Sequence, residues 1–498
     1  MACRLVRSCE RQGRPLSDCS TSLLAFEIDE QSADQTRKTL GEVLSGLSVP
    51  VRAAAALTNQ WVRTADFLLA APTLPKADFV IGNPPYIRLE DIPTETAGVY
   101  RDSYSTMRGR ADIYVAFFEA ALRKLNTGGV CAYICADRWM LNQYGAELRR
   151  LITTGYAVQT VLEMHTADAF DSEVSAYPAI TVIRRGRQGP VVVAAAEAPT
   201  EPVDSAKLSA SLRVPEQGDV LTPFPPVVSS AVVQNWFHGS DPWPCSSPAR
   251  LRLLRRLEEQ FEVLEDGSHT RVGIGVATGC DAVFITRNKD LVEPSRLLPL
   301  AMACDTLSGH LTWSGHYLVD PWDENGLIEL NNFPRLRSYF ERHRAALRDR
   351  HTAKKNANGW FKTIDRVTHS LRSRRKLYIP DIKDEFHPVL DAGTTYPHHN
   401  LYYIVSDRWD LEVLGGLLFS AVAQLFVEAY GVRMRGGYLR FQAQYLRRIR
   451  VPNPATVKRR QSEELAKAFR TRDRERATRV ALEVYGLEPN ELAAARGH

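Results

Sequence analysis

The chain lacks the features that mark secreted, membrane and zinc-finger proteins. Its eight cysteines include no Cys-x-x-Cys pair, so the spacing typical of a structural zinc site is absent. No run of about 18 apolar residues occurs, and Glu412, Gln424 and Glu428 interrupt the apolar stretch 411–429, which therefore predicts a buried core helix. Residues 1–22 contain Arg and Glu but no apolar core, unlike a signal peptide. We therefore predict a cytoplasmic protein with no membrane partner.

One histidine pair could suggest a metal site. His398 and His399 are adjacent and follow Pro397. Proline favours a turn at this point, so a surface or turn pair is the preferred interpretation. No metal is predicted.

Charge is distributed unevenly along the 498 residues. The net charge of +5 is mild, but basic residues concentrate in the second half, in clusters at 342–355, 366–376 and 433–450, with aromatic residues between them. Arginines can position phosphates and read base edges, and aromatic rings can stack on bases. Each cluster alone could be a solvated helix face, but three together predict a DNA-binding surface. The candidate contacts are Arg374, Arg375, Lys376, Arg435 and Arg440.

The most informative motif is Asn83-Pro84-Pro85-Tyr86, which follows the apolar residues 79–81. Each proline fixes its own φ and lacks an N–H, and the residue before a proline is held extended. The backbone carbonyls here are therefore not used by a helix or a sheet. A chance strand terminator is the alternative interpretation.

Such a turn suits the activation of an aromatic amine. The N6 amine of adenine is a poor nucleophile because its lone pair is delocalised into the ring. Acceptors at the Asn83 side chain and the Pro84 carbonyl would localise that lone pair and stabilise the positive charge that develops during attack. Tyr86 would stack on the base, a contact worth about 1–3 kcal/mol.

The first 185 residues alternate strand-like and helix-like segments. Strands are predicted at 23–29, 79–81, 130–134 and 179–183, and helices at 31–40, from 111 to the glycine pair Gly128-Gly129, and at 144–152. This alternation predicts an α/β fold with a largely parallel, doubly wound sheet. An acid at the end of a strand in such a sheet is placed to bind a ribose.

With these motifs, residues 20–185 resemble the catalytic domain of N6-adenine-specific DNA methyltransferases, in particular Thermus-type modification methylases and Eco57I-like restriction-modification enzymes. The resemblance implies a Rossmann-like fold and S-adenosylmethionine as the methyl donor. It also implies catalytic roles for Asn83, Pro84, Pro85 and Tyr86. The implied cofactor-binding residues are Glu27, Asp66, Asp112 and Phe117, and the implied rings that stack on the target base are Tyr86, Phe170 and Tyr177.

The resemblance also implies a function. A site-specific enzyme of this family methylates N6 of an adenine in double-stranded DNA, after rotating the base out of the helix. It works in a restriction-modification or phage-defence system, with a restriction endonuclease or another defence subunit as a partner. No Pro-Cys nucleophile of the kind needed for methylation at cytosine C5 lies near the motif.

The chain departs from the family pattern before Glu27. The family has a strand and a glycine-rich turn there, which pass under the methionine part of the cofactor, and residues 1–22 resemble the helix that follows that turn instead. The domain is therefore expected to be N-terminally incomplete. A truncated or interrupted gene, a loop supplied by a separate chain, and a degenerate non-binding domain are the three explanations.

The order of segments predicts four regions. Residues 1–190 are the methyltransferase catalytic domain, and the Pro/Ser/Ala-rich residues 191–250 are a connection. Residues 251–455 are an α+β target recognition domain that binds DNA, in which 272–284 are a glycine-punctuated strand pair. Residues 456–498 are a charged, solvated helical tail.

Two other functions stay open. A catalytically inactive or fragmentary DNA-recognition subunit fits the missing glycine-rich turn. A protein glutamine methyltransferase also uses Asn-Pro-Pro-Tyr, for a planar amide, but such enzymes lack a basic C-terminal half. Binding of S-adenosylmethionine separates the first alternative from the enzyme.

Overall fold

The structure is a computed structural model, and it describes residues 2–166, 178–197, 202–215, 223–234, 237–244, 248–355, 357–431 and 438–496. The chain divides into two units, Met1–Trp243 and Pro244–His498. Each is described by itself.

The first unit combines strands and helices in alternation. Its strands are β1 Ala25–Glu27, β2 Val62–Thr64, β3 Ala77–Gly82, β4 Leu125–Ala136, β5 Tyr156–Thr166, β6 Pro178–Arg185, β7 Val191–Glu197 and β8 Val227–Val233. Its helices are α1 Ala2–Arg11, α2 Glu30–Gly46, α3 Val51–Trp61, α4 Phe67–Ala70, α5 Thr94–Ser103, α6 Tyr114–Lys124, α7 Arg138–Leu141, α8 Ala146–Gly155 and α9 Ser205–Ser211. The predicted α/β class is confirmed.

Six strands form one sheet in the order β3-β4-β6-β5-β7-β8. The pairs β3/β4 and β5/β7 are parallel, and the other three pairs are antiparallel. The prediction of a largely parallel sheet is therefore wrong. The reason is that β6 lies between β4 and β5 and is antiparallel to both. The sequence patterns do not predict β5, so they could not indicate this arrangement.

The glycine pair Gly128-Gly129 does not end a helix. α6 already ends at Lys124, and both glycines lie inside β4. A Cβ on Gly129 would stand 3.1 Å from the Ala77 carbonyl oxygen, so this residue permits the close approach of β4 to β3.

Two strands form a separate small sheet. β1 pairs in parallel with β2, with Ala25 opposite Val62. Among the described residues, β1 has no second partner strand, and β3 pairs with β4 alone. Large apolar side chains lie exposed on or next to these open edges, with Phe79 69%, Ile81 63% and Ile28 71% exposed. Such edges are places where another strand can add.

A helical cluster forms the core beside β1 and β2. Val6 and Cys9 of α1 pack with Leu44 of α2 and Trp61 of α3. The Trp61 indole donates a hydrogen bond to the Cys19 carbonyl oxygen at 3.0 Å. The helix predicted within residues 1–22 is thus present.

The predicted connection at 191–250 is wrong in its first part. β7 and β8 both belong to the six-stranded sheet, and the division between the two units follows Trp243. Four consecutive residues of β7, 191–194, are buried. A continuous apolar strand is expected when both sheet faces are covered, whereas the Pro/Ser/Ala composition around it favours a linker.

The second unit is built from short strands and many helices. Its strands are β9 Glu262–Val263, β10 Thr270–Ile274, β11 Ile285–Thr286, β12 Leu297–Ala301, β13 Tyr317–Val319, β14 Trp322–Asp323, β15 Gly326–Leu327, β16 Lys376–Pro380, β17 Ile382–Lys383, β18 Val389–Asp391, β19 Tyr396–Pro397, β20 Leu401–Ser406, β21 Leu439–Arg440 and β22 Arg450–Val451. Its helices are α10 Pro248–Gln260, α11 Asp281–Phe284, α12 Pro334–Arg342, α13 Arg344–Asp349, α14 His351–Lys355, α15 Ser370–Ser373, α16 Leu411–Phe419, α17 Ala421–Tyr430, α18 Ala443–Leu446, α19 Arg459–Thr471, α20 Arg474–Tyr485 and α21 Pro489–Arg496.

Two four-stranded sheets organise this unit. One is antiparallel, in the order β10-β20-β16-β18, and the other has the order β11-β13-β12-β19. The strand pair predicted at 272–284 is wrong, because β10 pairs with β20 and residues 281–284 form α11.

The apolar stretch 411–429 is buried as predicted, but it forms two helices. α16 and α17 meet at Ser420, and their axes differ by 64°. The Ser420 hydroxyl accepts a hydrogen bond from the Ala423 amide at 3.4 Å and begins the second helix. Among the described residues, no single helix is long and apolar enough to span a membrane. Taken together, α16 and α17 have the length and apolar composition of a membrane span, but nothing else indicates one.

The C-terminal residues are not a solvated tail. Leu465 and Phe469 of α19 are buried, and Gly416 of α16 lies so close that a Cβ there would stand 2.4 Å from the Leu465 carbonyl oxygen. The charged residues occupy one side of amphipathic helices whose apolar side packs inward, so the prediction from charge alone is wrong.

Candidate active site at the carboxyl end of β3

The Asn-Pro-Pro-Tyr segment directly follows β3. The Asn83 side chain is exposed, Pro84 is buried, and Pro85 and Tyr86 are partly buried. Among the described residues, the Asn83 side chain makes no hydrogen bond and the Pro84 carbonyl accepts none. The Ile113 amide donates to the Ile87 carbonyl at 3.1 Å and fixes the segment against the start of α6. Two acceptors are therefore held on a rigid backbone with their lone pairs available.

Aromatic side chains form one wall beside this segment. The ring centroids of Tyr86 and Tyr114 are 6.4 Å apart. The Tyr114 and Tyr144 hydroxyl oxygens are 2.5 Å apart, and Tyr144 donates to Asp112 Oδ2 at 3.2 Å. Burial raises the pKa of Asp112 and that of Tyr86 above their ordinary values. The phenols are thus neutral and can serve as rings and hydrogen-bond donors.

The predicted cofactor acids lie at the carboxyl ends of β1 and β2. Glu27 Oε1 accepts from the Ile28 and Asp29 amides at 2.9 and 3.2 Å. Asp66 Oδ1 accepts from the Leu68 and Leu69 amides at 2.8 and 3.3 Å, so it caps α4. A carboxylate oxygen can accept a second hydrogen bond, so both acids keep capacity for a ligand.

Asp66 has a further partner that the sequence does not suggest. Tyr100 of α5 donates its hydroxyl to Asp66 Oδ2, and the sequence patterns do not predict α5. This bond orients the carboxylate.

Three phenylalanines connect the predicted acids to α6. The ring centroids of Phe26 and Phe67 are 5.6 Å apart, and those of Phe67 and Phe117 are 5.5 Å apart. The structure thus brings the predicted Phe117 together with two rings that sequence reasoning missed. The sequence could have indicated these two rings, because Phe26 directly precedes the predicted ligand Glu27 and Phe67 directly follows the predicted ligand Asp66.

Three predicted site residues lie outside the described residues. They are Phe170 and Tyr177, the predicted base-stacking rings, and Arg435, a predicted DNA contact.

The other predicted DNA contacts differ in exposure. Arg374 and Arg375 are exposed. Arg440 forms an ion pair with Asp381, and its Nε lies 3.3 Å from Asp381 Oδ1. Hydrogen bonding to Asp381 raises the pKa of the Arg440 guanidinium.

Lys376 is a clear correction. Its side chain is fully buried, and Nζ lies 2.8 Å from Oδ2 of Asp391, which is fully buried too. The ammonium also donates to the Arg374 carbonyl at 2.8 Å. The strand β16 turns this side chain inward, so it cannot reach a DNA phosphate and the predicted contact is wrong.

Comparison with known proteins gives the family. The chain is 42% identical over 494 residues to the type II methyltransferase M.PaeR7I of Pseudomonas aeruginosa, covering 99% of this chain and 84% of that protein. The chain belongs to the type II methyltransferases. It is also 41% identical to M.XhoI of Xanthomonas vasicola, covering 98% of this chain and 89% of that protein. The predicted resemblance is thereby confirmed at the level of the family.

Two further comparisons agree with this membership. The family described as Eco57I restriction-modification methylase matches residues 53–170, which contain the Asn-Pro-Pro-Tyr segment. Among solved structures, the type IIL restriction-modification enzyme MmeI, solved in complex with DNA, superposes with a TM-score of 0.53 at 10% identity, covering 87% of this chain and 58% of that one. At 10% identity, this similarity shows only that the two chains share a fold.

Proposed function

We propose that this type II methyltransferase transfers a methyl group from S-adenosylmethionine to N6 of an adenine in duplex DNA, within a restriction-modification system. The observation that carries the proposal is the pair of available acceptors, the Asn83 side chain and the Pro84 carbonyl, beside the partly buried Tyr86 ring. Preorganised acceptors stabilise the positive charge that develops on an attacking amine.

The residues present fit the adenosine part of the cofactor. Glu27 would accept from the ribose hydroxyls, Asp66 would accept from the adenine amine, and Phe67 and Phe117 would cover the adenine ring. When bound, S-adenosylmethionine would supply an electrophilic methyl group to N6, with its sulfonium sulfur as the leaving group. The described residues before β1 contain no glycine-rich turn, so the fit concerns the adenosine part of the cofactor and not its methionine part.

The target base must leave the helix to reach Asn83. Unstacking costs a few kcal/mol, and stacking on Tyr86 would return about 1–3 kcal/mol. The Asn83 oxygen and the Pro84 carbonyl would then accept the two N6 hydrogens. As the nitrogen becomes cationic in the transition state, these two acceptors would stabilise it through its N–H groups, and the proton released afterwards would pass to solvent water.

The second unit would supply the DNA surface. Arg374 and Arg375 are exposed and adjacent, and exposed arginines contribute the phosphate contacts that hold a protein on DNA. A restriction endonuclease of the same specificity is the proposed partner in the cell.

The open edges of two strands favour a second candidate function, that of a DNA-recognition subunit. The open edges of β1 and β3, with exposed Phe79 and Ile81, suit a chain that needs an added strand before it can bind the cofactor. Such a chain alone would be a DNA-recognition subunit.

One experiment tests the proposal. The chain is incubated with duplex DNA and isotope-labelled S-adenosylmethionine, and N6-methyladenine is measured by mass spectrometry. Asn83→Ala should lower the rate by about 10²- to 10³-fold. Asn59→Ala changes an exposed asparagine of α3 in the same unit and should leave the rate unchanged.

The outcomes separate the two functions. Methylation of another atom, or equal rates for both variants, would contradict the proposed chemistry. DNA binding without cofactor binding in calorimetry would favour the recognition subunit.

A further inference from the structure

Three potential metal ligands meet in the second unit, away from the proposed active site. Asp281 begins α11, and His398 and His399 directly follow β19. One ligand atom from each side chain can be chosen so that all three lie within 4.8 Å of one another. The sequence separates Asp281 from the histidines by more than 100 residues, so spacing could not reveal the cluster.

The sequence predicts a surface or turn pair, and the structure has His399 exposed in a turn but His398 buried. It is 3% exposed, and within the described part of the chain neither ring nitrogen makes a hydrogen bond of acceptable geometry. Its Nε2 lies 3.3 Å from Asp281 Oδ2. A buried imidazole whose polar contacts are poorly aligned gains little from them, and a metal–nitrogen bond would satisfy its lone pair.

The carboxylate of Asp281 is already oriented by a neighbour. The Thr278 hydroxyl donates to Asp281 Oδ1, which leaves Oδ2 directed at His398. In protein metal sites, a side chain that binds the metal directly is commonly oriented by a hydrogen bond to a neighbouring residue.

The backbone holds both histidines against the loop that carries Asp281. The Val276 amide donates to the Pro397 carbonyl at 2.9 Å, and the His399 amide donates to the Val276 carbonyl at 3.1 Å. A Cβ on Gly275 would stand 2.1 Å from the His398 carbonyl oxygen. The loop and the histidine segment therefore approach closely only because residue 275 is glycine.

The distances fit zinc. Zinc–nitrogen and zinc–oxygen bonds of roughly 2.0–2.2 Å at tetrahedral angles place two ligand atoms about 3.3–3.6 Å apart. The His398–Asp281 distance of 3.3 Å already has this value, and the His399 side chain is exposed and has a ligand atom within 4.8 Å of the other two residues' ligand atoms.

We propose that Asp281, His398 and His399 bind one zinc ion. Two imidazoles and one carboxylate suit zinc better than magnesium or calcium, which prefer oxygen ligands. The ion joins the loop 275–281 to the segment 397–401 and leaves a fourth position for water or an anionic oxygen.

Zinc binding by the full chain tests the proposal. After removal of metal with a chelator, equilibrium dialysis followed by metal analysis should find one zinc per chain, and cobalt at the same site should give the visible absorption of a tetrahedral ion. His399→Ala and Asp281→Asn change exposed side chains, and each should weaken zinc binding by at least about tenfold.

The matched control is His351→Ala, which removes an exposed histidine of α14 in the same unit and should bind zinc like the unchanged protein. Circular dichroism verifies that each variant is folded. The proposal is overturned if the unchanged protein binds no zinc, or if all four proteins bind it equally.

Discussion

Two strands of this protein, β3 and β16, have similar sequences and opposite surroundings. Each is short and largely apolar, and each has a proline at or near its end. β3 is Ala-Asp-Phe-Val-Ile-Gly and is followed by Asn83 and Pro84, and β16 is Lys-Leu-Tyr-Ile-Pro and ends at Pro380. Every residue of β16 is buried, including the lysine, whereas Phe79 and Ile81 of β3 are more than half exposed.

The number of partner strands explains the difference. β16 lies between β20 and β18, while β3 pairs with β4 alone among the described residues. β16 and its neighbours satisfy their own polar groups, as the Lys376–Asp391 pair demonstrates. The carboxyl end of β3 keeps its acceptors available for something outside the chain. Changes at β16 should therefore cost stability, and changes at β3 should cost function.

The largest effect is expected from Lys376→Met. Removing one partner of a buried ion pair leaves Asp391 charged and unpaired, which should lower the free energy of unfolding by about 3–5 kcal/mol. Denaturant unfolding measures this. The control Arg375→Met changes the exposed neighbour and should stay within about 0.5 kcal/mol; equal effects for both would remove the contrast between the two strands.

A smaller effect, on function alone, is expected from Tyr86→Ala. Loss of about 1–3 kcal/mol of stacking on the base should reduce kcat/KM for DNA by roughly five- to 150-fold. Tyr86→Phe keeps the ring and should retain most of the activity. If the phenylalanine variant loses as much as alanine, the hydroxyl rather than the ring is the important group.

A weaker and salt-dependent effect is expected from Arg374→Ala and Arg375→Ala. Each lost phosphate contact should reduce the slope of log affinity against log salt by about 1, with no change in thermal unfolding. Filter binding across a salt series measures the slope. Arg52→Ala, an exposed arginine of α3, is the control. An unchanged slope in both variants would place the DNA surface elsewhere.

The smallest effect is expected from Asp112→Asn. Burial raises the pKa of this carboxyl above 3.8 in the folded protein, so protonation stabilises the fold at low pH and that contribution is lost as the pH rises through the folded-state value. Replacing the carboxyl by an amide should make the free energy of unfolding less dependent on pH just above 3.8. Denaturation at pH 4 and pH 7 compares the two proteins; an identical pH dependence would mean that Asp112 is effectively solvated.

Much of the site could be predicted from local patterns. Glu27 ends β1, Asp66 lies just beyond the end of β2, and Asn83-Pro84-Pro85-Tyr86 follows β3. These predictions succeed because each depends on chain-local rules, namely strand termination and the rigidity of proline. Their roles in binding and catalysis stay predictions.

The errors involve contacts between distant segments. Lys376 shares its basic character with Arg374 and Arg375, but Asp391 pairs with it from another strand. Charge alone places α19 in solvent, because it takes no account of the apolar side that packs on α16. The segment 191–250 has the composition of a linker, and composition does not reveal that β7 pairs with β5 and β8 in the sheet.

The sequence by itself determined the family, the α/β class of the first unit and the rigid acceptor turn at Asn83-Pro84, since each is written in consecutive residues. Only the tertiary structure decided which strands are central, which charges are buried, and that Asp281 meets His398 and His399. The physical reason is that burial and pairing are set by neighbours far away in sequence, and periodicity and composition carry no record of which neighbours those are.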